Sequence, residues 1–227
     1  MIARKFLPPV LIAAGLAGLV LLPGALFAGE AIPGQVTVAA FSSGDLSGWS
    51  KKIFKGETEY SIVQVDGRKA LRAVSKNAAS GLVKKIEKDP LRYPLLRWSW
   101  KIEKTLKRED ATKKSGDDFV ARVYVVFPRV LFWKTRAINY VWSAKLPLGT
   151  AIPNAYTDNA VMVAVESGDG KAGSWVNEER NIFEDYKRFF GEDPPPLGAI
   201  ALMSDTDNTG DEAVAYFGDI FLSPPRP

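Results

Sequence analysis

Residues 199–222 read AIALMSDTDNTGDEAVAYFGDIFL. Two short apolar runs, rich in branched and aromatic residues, flank a loop carrying Asp205, Asp207, Asn208 and Asp211. Runs of that length and composition read as β-strands. Asp, Asn and Gly suit the turn between them, through side-chain-to-backbone bonds and tolerance of positive φ. The three carboxylates fall within seven residues. They repel one another unless water or a cation sits among them.

Working outward, the same alternation marks further strands at 35–41, 59–65, 69–75, 81–87, 95–103, 118–127, 138–143 and 160–166, about ten in all with 199–204 and 213–222. Asp66-Gly67 between two of them is a hairpin signal, since both positions tolerate positive φ. In 95–103, Leu96, Trp98, Trp100 and Ile102 share a face, which predicts core for both tryptophans. In 118–127, Phe119, Ala121, Val123, Val125 and Phe127 share one face, with Arg122 and Tyr124 opposite. Ile138, Tyr140 and Trp142 also read as core. Residues 104–117 read as a charged, mobile loop. One helix is expected over residues 177–190, with Asn177 as its cap, Glu178 and Glu179 in its first turn, Lys187 and Arg188 in its last, and Gly191 as a stop. One helix on ten strands excludes a βαβ layout. It predicts an all-β fold, a single antiparallel, jelly-roll-like β-sandwich over residues 29–227 with one rim helix.

Composition removes whole classes of chemistry. The chain has no His and no Cys. Nucleophilic triads, thiol chemistry and disulfides are therefore excluded, and His/Cys zinc sites with them. An enzyme built here has to work with Asp, Glu, Lys or Tyr. Arg4 and Lys5 precede a thirteen-residue uncharged run, Val10 to Leu22, then Pro23-Gly24 and a small residue at Ala28. This is the layout of a signal peptide over residues 1–28, cleaved near Ala28. It predicts a periplasmic or secreted protein with no membrane span after cleavage. Cleavage lowers the formal charge from +4 to +2. Such a balance makes no case for nucleic acid.

Trp98-Ser-Trp100, Arg122-Val-Tyr124, Asn139-Tyr-Val-Trp142, Trp175 with Glu179-Arg180-Asn181 and Asp185-Tyr186, and Asp205-Thr-Asp-Asn-Thr209 occur in this order. Together they resemble the bacterial exported domain-of-unknown-function family numbered 3047, from about Phe41 to Leu222. The resemblance implies no catalytic residue. At the level of fold it is similar to galactose-binding-like and carbohydrate-binding jelly rolls.

The candidate ligand-binding residues are Arg122, Tyr124, Trp133, Trp175, Arg180, Asn181 and Asp185. Arg122, in an apolar strand, demands either a facing acid or a ligand; Asn139, Glu166 and Asp219 are candidate companions. Trp133 in Val130-Leu-Phe-Trp-Lys and Trp175 before the helix are loop aromatics. They suit sugar faces, or cover the sandwich ends; for Val130–Trp133 a membrane-touching loop is a third reading. Asp205, Asp207, Thr209 and Gly210 match the first positions of a calcium loop, but the twelfth is Tyr216 and the flanks are strands, so the EF-hand reading fails. Another calcium site on Asp205, Asp207, Asn208 and Asp211 stays open beside a metal-free turn and ligand contact. The basic loop 104–114 reads as solvated, or as a contact for an anionic glycan or lipid headgroup. The functional expectation is a non-catalytic, exported module binding a saccharide or related envelope ligand. The alternatives are a polysaccharide hydrolase or lyase, using Tyr124 or a Lys with Arg122, and an assembly partner of another envelope protein.

Overall fold

Alternation along a strand sends successive side chains to opposite faces, and here it gathers the large aromatics between two sheets. In the computed structural model, residues 33–225 are described; the expected signal peptide over residues 1–28 lies outside them. In chain order the strands are β1 (Val36–Ala39), β2 (Trp49–Lys55), β3 (Glu59–Val65), β4 (Arg68–Lys76), β5 (Ala79–Lys88), β6 (Leu95–Ile102), β7 (Ala121–Phe127), β8 (Arg136–Ser143), β9 (Ala151–Asn154), β10 (Thr157–Ser167), β11 (Val176–Asn181), β12 (Leu197–Asp205) and β13 (Glu212–Ser223). One helix, α1 (Ile182–Phe190), follows β11 directly.

One sheet runs β11-β6-β13-β4-β3, with β1 also paired to β13. The other runs β2-β5-β12-β7-β8-β10-β9. The expected sandwich is present, with three strands that alternation did not mark: β2, β9 and β11. All pairings are antiparallel except β8 with β10, which run parallel. The helix is shorter than expected. Residues 176–181 pair with β6 as a strand, and the cap is Asn181, whose side chain accepts from the Glu184 amide at 3.0 Å. The αL residue Gly191 ends it as expected.

The two sheets meet through aromatic contacts between β6 and β8. Trp98 stacks on Tyr140 with ring centroids 5.4 Å apart, and Trp100 meets Trp142 at 5.8 Å. All four are buried. Asp66 and Gly67 both adopt positive φ in the β3–β4 turn. At Gly218 the register of β13 against β6 shifts, and a Cβ there would displace the Ser99 hydroxyl. The bulge turns Asp219 outward, where it accepts from the Ser42 amide and hydroxyl.

The charged segment 104–117 is anchored, not free. Leu106, Glu109 and Ala111 are buried, and the Glu109 carboxylate accepts from the Ser143 hydroxyl and from the Ala144 amide at 2.8 Å. Burial pushes the Glu109 carboxyl up to about 6.

Trp98→Ala is expected to cost about 3–5 kcal/mol in denaturant unfolding, through lost burial and a cavity at the sheet interface. Trp133→Ala, on an exposed loop, is expected to change stability by less than about 0.5 kcal/mol in the same assay.

Candidate functional site

On β7 the inward residues Ala121, Val123, Val125 and Phe127 are buried, and Arg122, Tyr124 and Val126 are left on the outer face of the sheet. Register places Met203 and Ala201 of β12 beside Arg122 and Tyr124, and Asn139 of β8 beside Tyr124 on the other flank. Phe54 on the edge strand β2 and Tyr156 in the β9–β10 turn rise at the two sides of this floor; they are 65% and 54% exposed. The result is an open cleft of about 460 Å³.

Arg122 closes one end of the floor. Its side chain is 3% exposed because the segment before β7 and the acidic loop after β12 fold over it. The guanidinium forms a two-pronged pair with Asp205, Nε to Oδ1 at 2.7 Å and Nη2 to Oδ2 at 2.5 Å. It also donates to the Asp117 carbonyl at 2.6 Å and to the Tyr124 hydroxyl oxygen at 3.3 Å. The Phe119 ring centroid lies 4.5 Å away. The planar fork of Arg suits this pattern, since a carboxylate takes both prongs. Burial pushes the Asp205 carboxyl up to about 7; Arg122 opposes that shift and Asp118 adds to it. Burial likewise pushes the Tyr124 hydroxyl up to about 12.

Asp118 holds the acidic loop. It accepts from the Asn208 amide at 3.0 Å, the Asn208 side chain at 3.1 Å and the Thr209 amide at 2.6 Å. Carboxylate oxygens of Asp118, Asp205 and Asp207 lie within 4.8 Å of one another, close enough for an oxygen-ligated cation. Asp211 is not in that group; it pairs with Arg108 at 3.3 Å. The Asn208 side-chain Oδ1 accepts from the Tyr156 hydroxyl at 3.1 Å. Of the four expected calcium ligands, Asp205 and Asp207 come together, and Asp118 stands where Asp211 was expected. Arg122 and the amides of Phe119, Asn208 and Thr209 already supply positive partners to these carboxylates.

At the middle of the floor, Asn139 is buried and its Oδ1 has no hydrogen-bond donor among the described residues. Its amide nitrogen faces the Met162 sulfur at 3.2 Å. The Asn139 Oδ1 is itself buried, so it lies beneath the cleft surface and not on it.

A family model described as "Protein of unknown function (DUF3047)" matches residues 47–221. The chain belongs to the DUF3047 family. No curated protein matches it significantly. Among solved structures, this DUF3047 chain is similar in outline to the family 30 carbohydrate-binding module of a cellulosomal cellulase of Clostridium thermocellum. The identity is 11%, the coverage 85% of this chain and 99% of that one, and the TM-score 0.47. For carbohydrate-binding modules described as belonging to the β-sandwich superfamily the values are 11%, 85%, 63% and 0.45. For the K1 cleaved adhesin domain of Lys-gingipain from Porphyromonas gingivalis W83 they are 13%, 85%, 99% and 0.43. At these scores the likeness says nothing about a ligand.

The DUF3047 structure separates the candidate residues into four places. Arg122 and Tyr124 line the cleft, joined by Asn139. Trp133 stands on the exposed β7–β8 loop. Trp175 lies under the Arg68 guanidinium, 3.2 Å from its ring centroid. Arg180, Asn181 and Asp185 gather at the start of α1, where Arg180 holds Asp185 at 2.5 Å and the Tyr140 hydroxyl donates to the same carboxylate at 2.6 Å. Of the other companions, Glu166 pairs with Lys171 at 2.5 Å, away from Arg122. Phe54, Asp117, Asn154 and Tyr156 were missed in the sequence; the trace they leave is an aromatic amid charged or turn residues, as in Lys51-Lys-Ile-Phe-Lys55.

Near α1, Glu178 accepts from Trp100 Nε1 at 3.2 Å. Burial, then the Glu166 carboxylate, pushes its carboxyl from an ordinary 4.5 up to about 8. The folded state therefore holds this proton more tightly than the unfolded chain. The associated stability is full below about pH 4.5 and is lost as pH rises to about 8. Glu178→Gln is expected to flatten unfolding free energy against pH across that window.

Removing one partner of the buried pair leaves the other uncompensated. Arg122→Met is expected to destabilise by about 3–5 kcal/mol, and the double variant Arg122→Met/Asp205→Leu to recover much of that, in equilibrium unfolding.

Proposed function

We propose that this protein is an exported, non-catalytic binding module whose cleft takes an uncharged, hydroxyl-rich saccharide or a related envelope ligand. The observation that carries the reading is the pair of exposed aromatics, Phe54 and Tyr156, rising from opposite edges of the sheet over a polar floor. Aromatic faces match the apolar faces of sugar rings, and the floor offers hydrogen-bonding partners for hydroxyls. Asn154 and Thr157 line the cleft and supply such polar groups. The charged lining residues are Asp117, Asp205 and Asp207 against Lys55 and Arg122, a balance that disfavours anionic ligands. The leader-like residues 1–28 support export to the periplasm or beyond.

A thermal-shift screen of neutral and acidic oligosaccharides tests this, since a ligand of the native state raises the melting point. A concentration-dependent rise with a neutral class is expected. Phe54→Ala and Tyr156→Ala should each weaken that binding by roughly tenfold, with Trp175→Ala leaving it unchanged. A flat panel, or binding indifferent to both cleft variants, would sink the reading.

A further inference from the structure

The β7–β8 connection is unusual for a loop between two central strands. Residues 128–135 read PRVLFWKT, with no Gly, Asn or Asp and four consecutive apolar side chains. Val130 is 104% exposed, Phe132 79% and Trp133 58%. A contiguous apolar tip of this kind marks an interaction surface.

The tip has three carbonyls already bonded within the protein. Its backbone closes on itself in a single tight turn: the Lys134 amide donates to the Leu131 carbonyl at 2.8 Å, and the Thr135 amide to the Phe132 carbonyl at 3.1 Å. Asn159 donates to the Trp133 carbonyl at 2.9 Å. Polar backbone that is satisfied internally lowers the cost of entering an apolar phase. The Phe132 and Trp133 rings brace each other edge to face at 5.1 Å.

A collar of cations surrounds the foot of the tip. Arg129 and Arg136 both donate to Glu192 and to the Tyr186 hydroxyl, so one carboxylate serves two guanidinia. Lys134 is exposed and has no carboxylate partner among the described residues. These side chains and Asn159 line a cleft of about 450 Å³. Apolar tip, interfacial Trp and basic collar occur in the order in which a bilayer presents acyl chains, headgroup boundary and phosphates.

We propose that the Val130–Trp133 tip inserts into the surface of a bilayer bearing anionic phospholipids, with Arg129, Lys134 and Arg136 meeting the phosphates. Among the described residues no helix is long and apolar enough to cross a membrane, so this contact is peripheral. A second copy of the chain fits the tip less well, because two such collars would face each other with like charge.

The test is depth-resolved fluorescence on the full chain. Vesicles of phosphatidylcholine alone are compared with vesicles containing phosphatidylglycerol, with and without bromine on the acyl chains. Residues 1–32 are shared by every variant, so retention through them appears equally in Phe132→Ser and is separated from insertion of the tip. The expected result is a blue shift and bromolipid quenching that favour the anionic vesicles by roughly tenfold in lipid concentration. High salt should reverse both, and Trp133→Phe should abolish them. Phe132→Ser should remove insertion reported by Trp133, and Lys134→Gln should reduce the preference for anionic lipid. Absence of quenching overturns the proposal, as does quenching that persists in Trp133→Phe or is indifferent to Phe132→Ser. Sedimentation showing self-association that Phe132→Ser abolishes, without quenching, would assign the tip to a second copy instead.

Discussion

The Arg122–Asp205 pair is the constraint around which one end of the sandwich is arranged. A guanidinium in the middle of an apolar strand has to be matched in charge and in hydrogen bonds. Here the match draws in four pieces of chain. Strand β7 supplies the Arg and β12 supplies the Asp. The segment before β7 turns back so that the Asp117 carbonyl and the Phe119 ring meet the same group. Asp118, carried by that segment, then fixes the acidic loop through Asn208 and Thr209. The loop that looks like a calcium site is thus also a lid on an ion pair.

Away from that end, the chemistry is distributed by how crowded each sheet position is. The outer face between β12 and β8 carries Arg122, Tyr124, Met203 and Asn139, while the cleft's exposed aromatics come from the edges. At the far end of β7 the connection to β8 carries its apolar side chains outward. The start of α1 holds one buried acid, Asp185, which finds partners in Arg180 and Tyr140. Each group sits where a strand ends or a sheet edge opens.

Much of the fold was legible because burial on one face imposes a period of two. Strands β6 and β7 show it fully, and Asp66-Gly67 announces its turn. Strand β2 escaped notice because Lys51, Lys52 and Lys55 interrupt any pattern; both its faces are exposed at a sheet edge. Strand β9 contains Pro153, which an edge position tolerates. Strand β11 passed for a helix start because Asn177, Glu178 and Glu179 imitate a cap and an acidic first turn, although the helical apolar spacing begins only at Ile182. Arg122 declared that it needed an acid. Which acid depends on register between strands far apart in sequence, and no local pattern encodes that. Phe54 and Tyr156 were invisible for a related reason, since an exposed aromatic has no periodicity to obey.

Both sheets place a late strand in their interior. Strand β12 lies between β5 and β7, and β13 lies between β4 and β6, with β1 paired to it as well. These two strands and the loop joining them are the last regular elements of the described chain. A polypeptide emerging N-terminus first therefore lacks one interior strand of each layer until its final segment arrives. Pairings so distant in sequence are slow to form because long loops must close first. The links of β5 to β7 and of β4 to β6 run through these two strands, so each layer closes only once the tail is free.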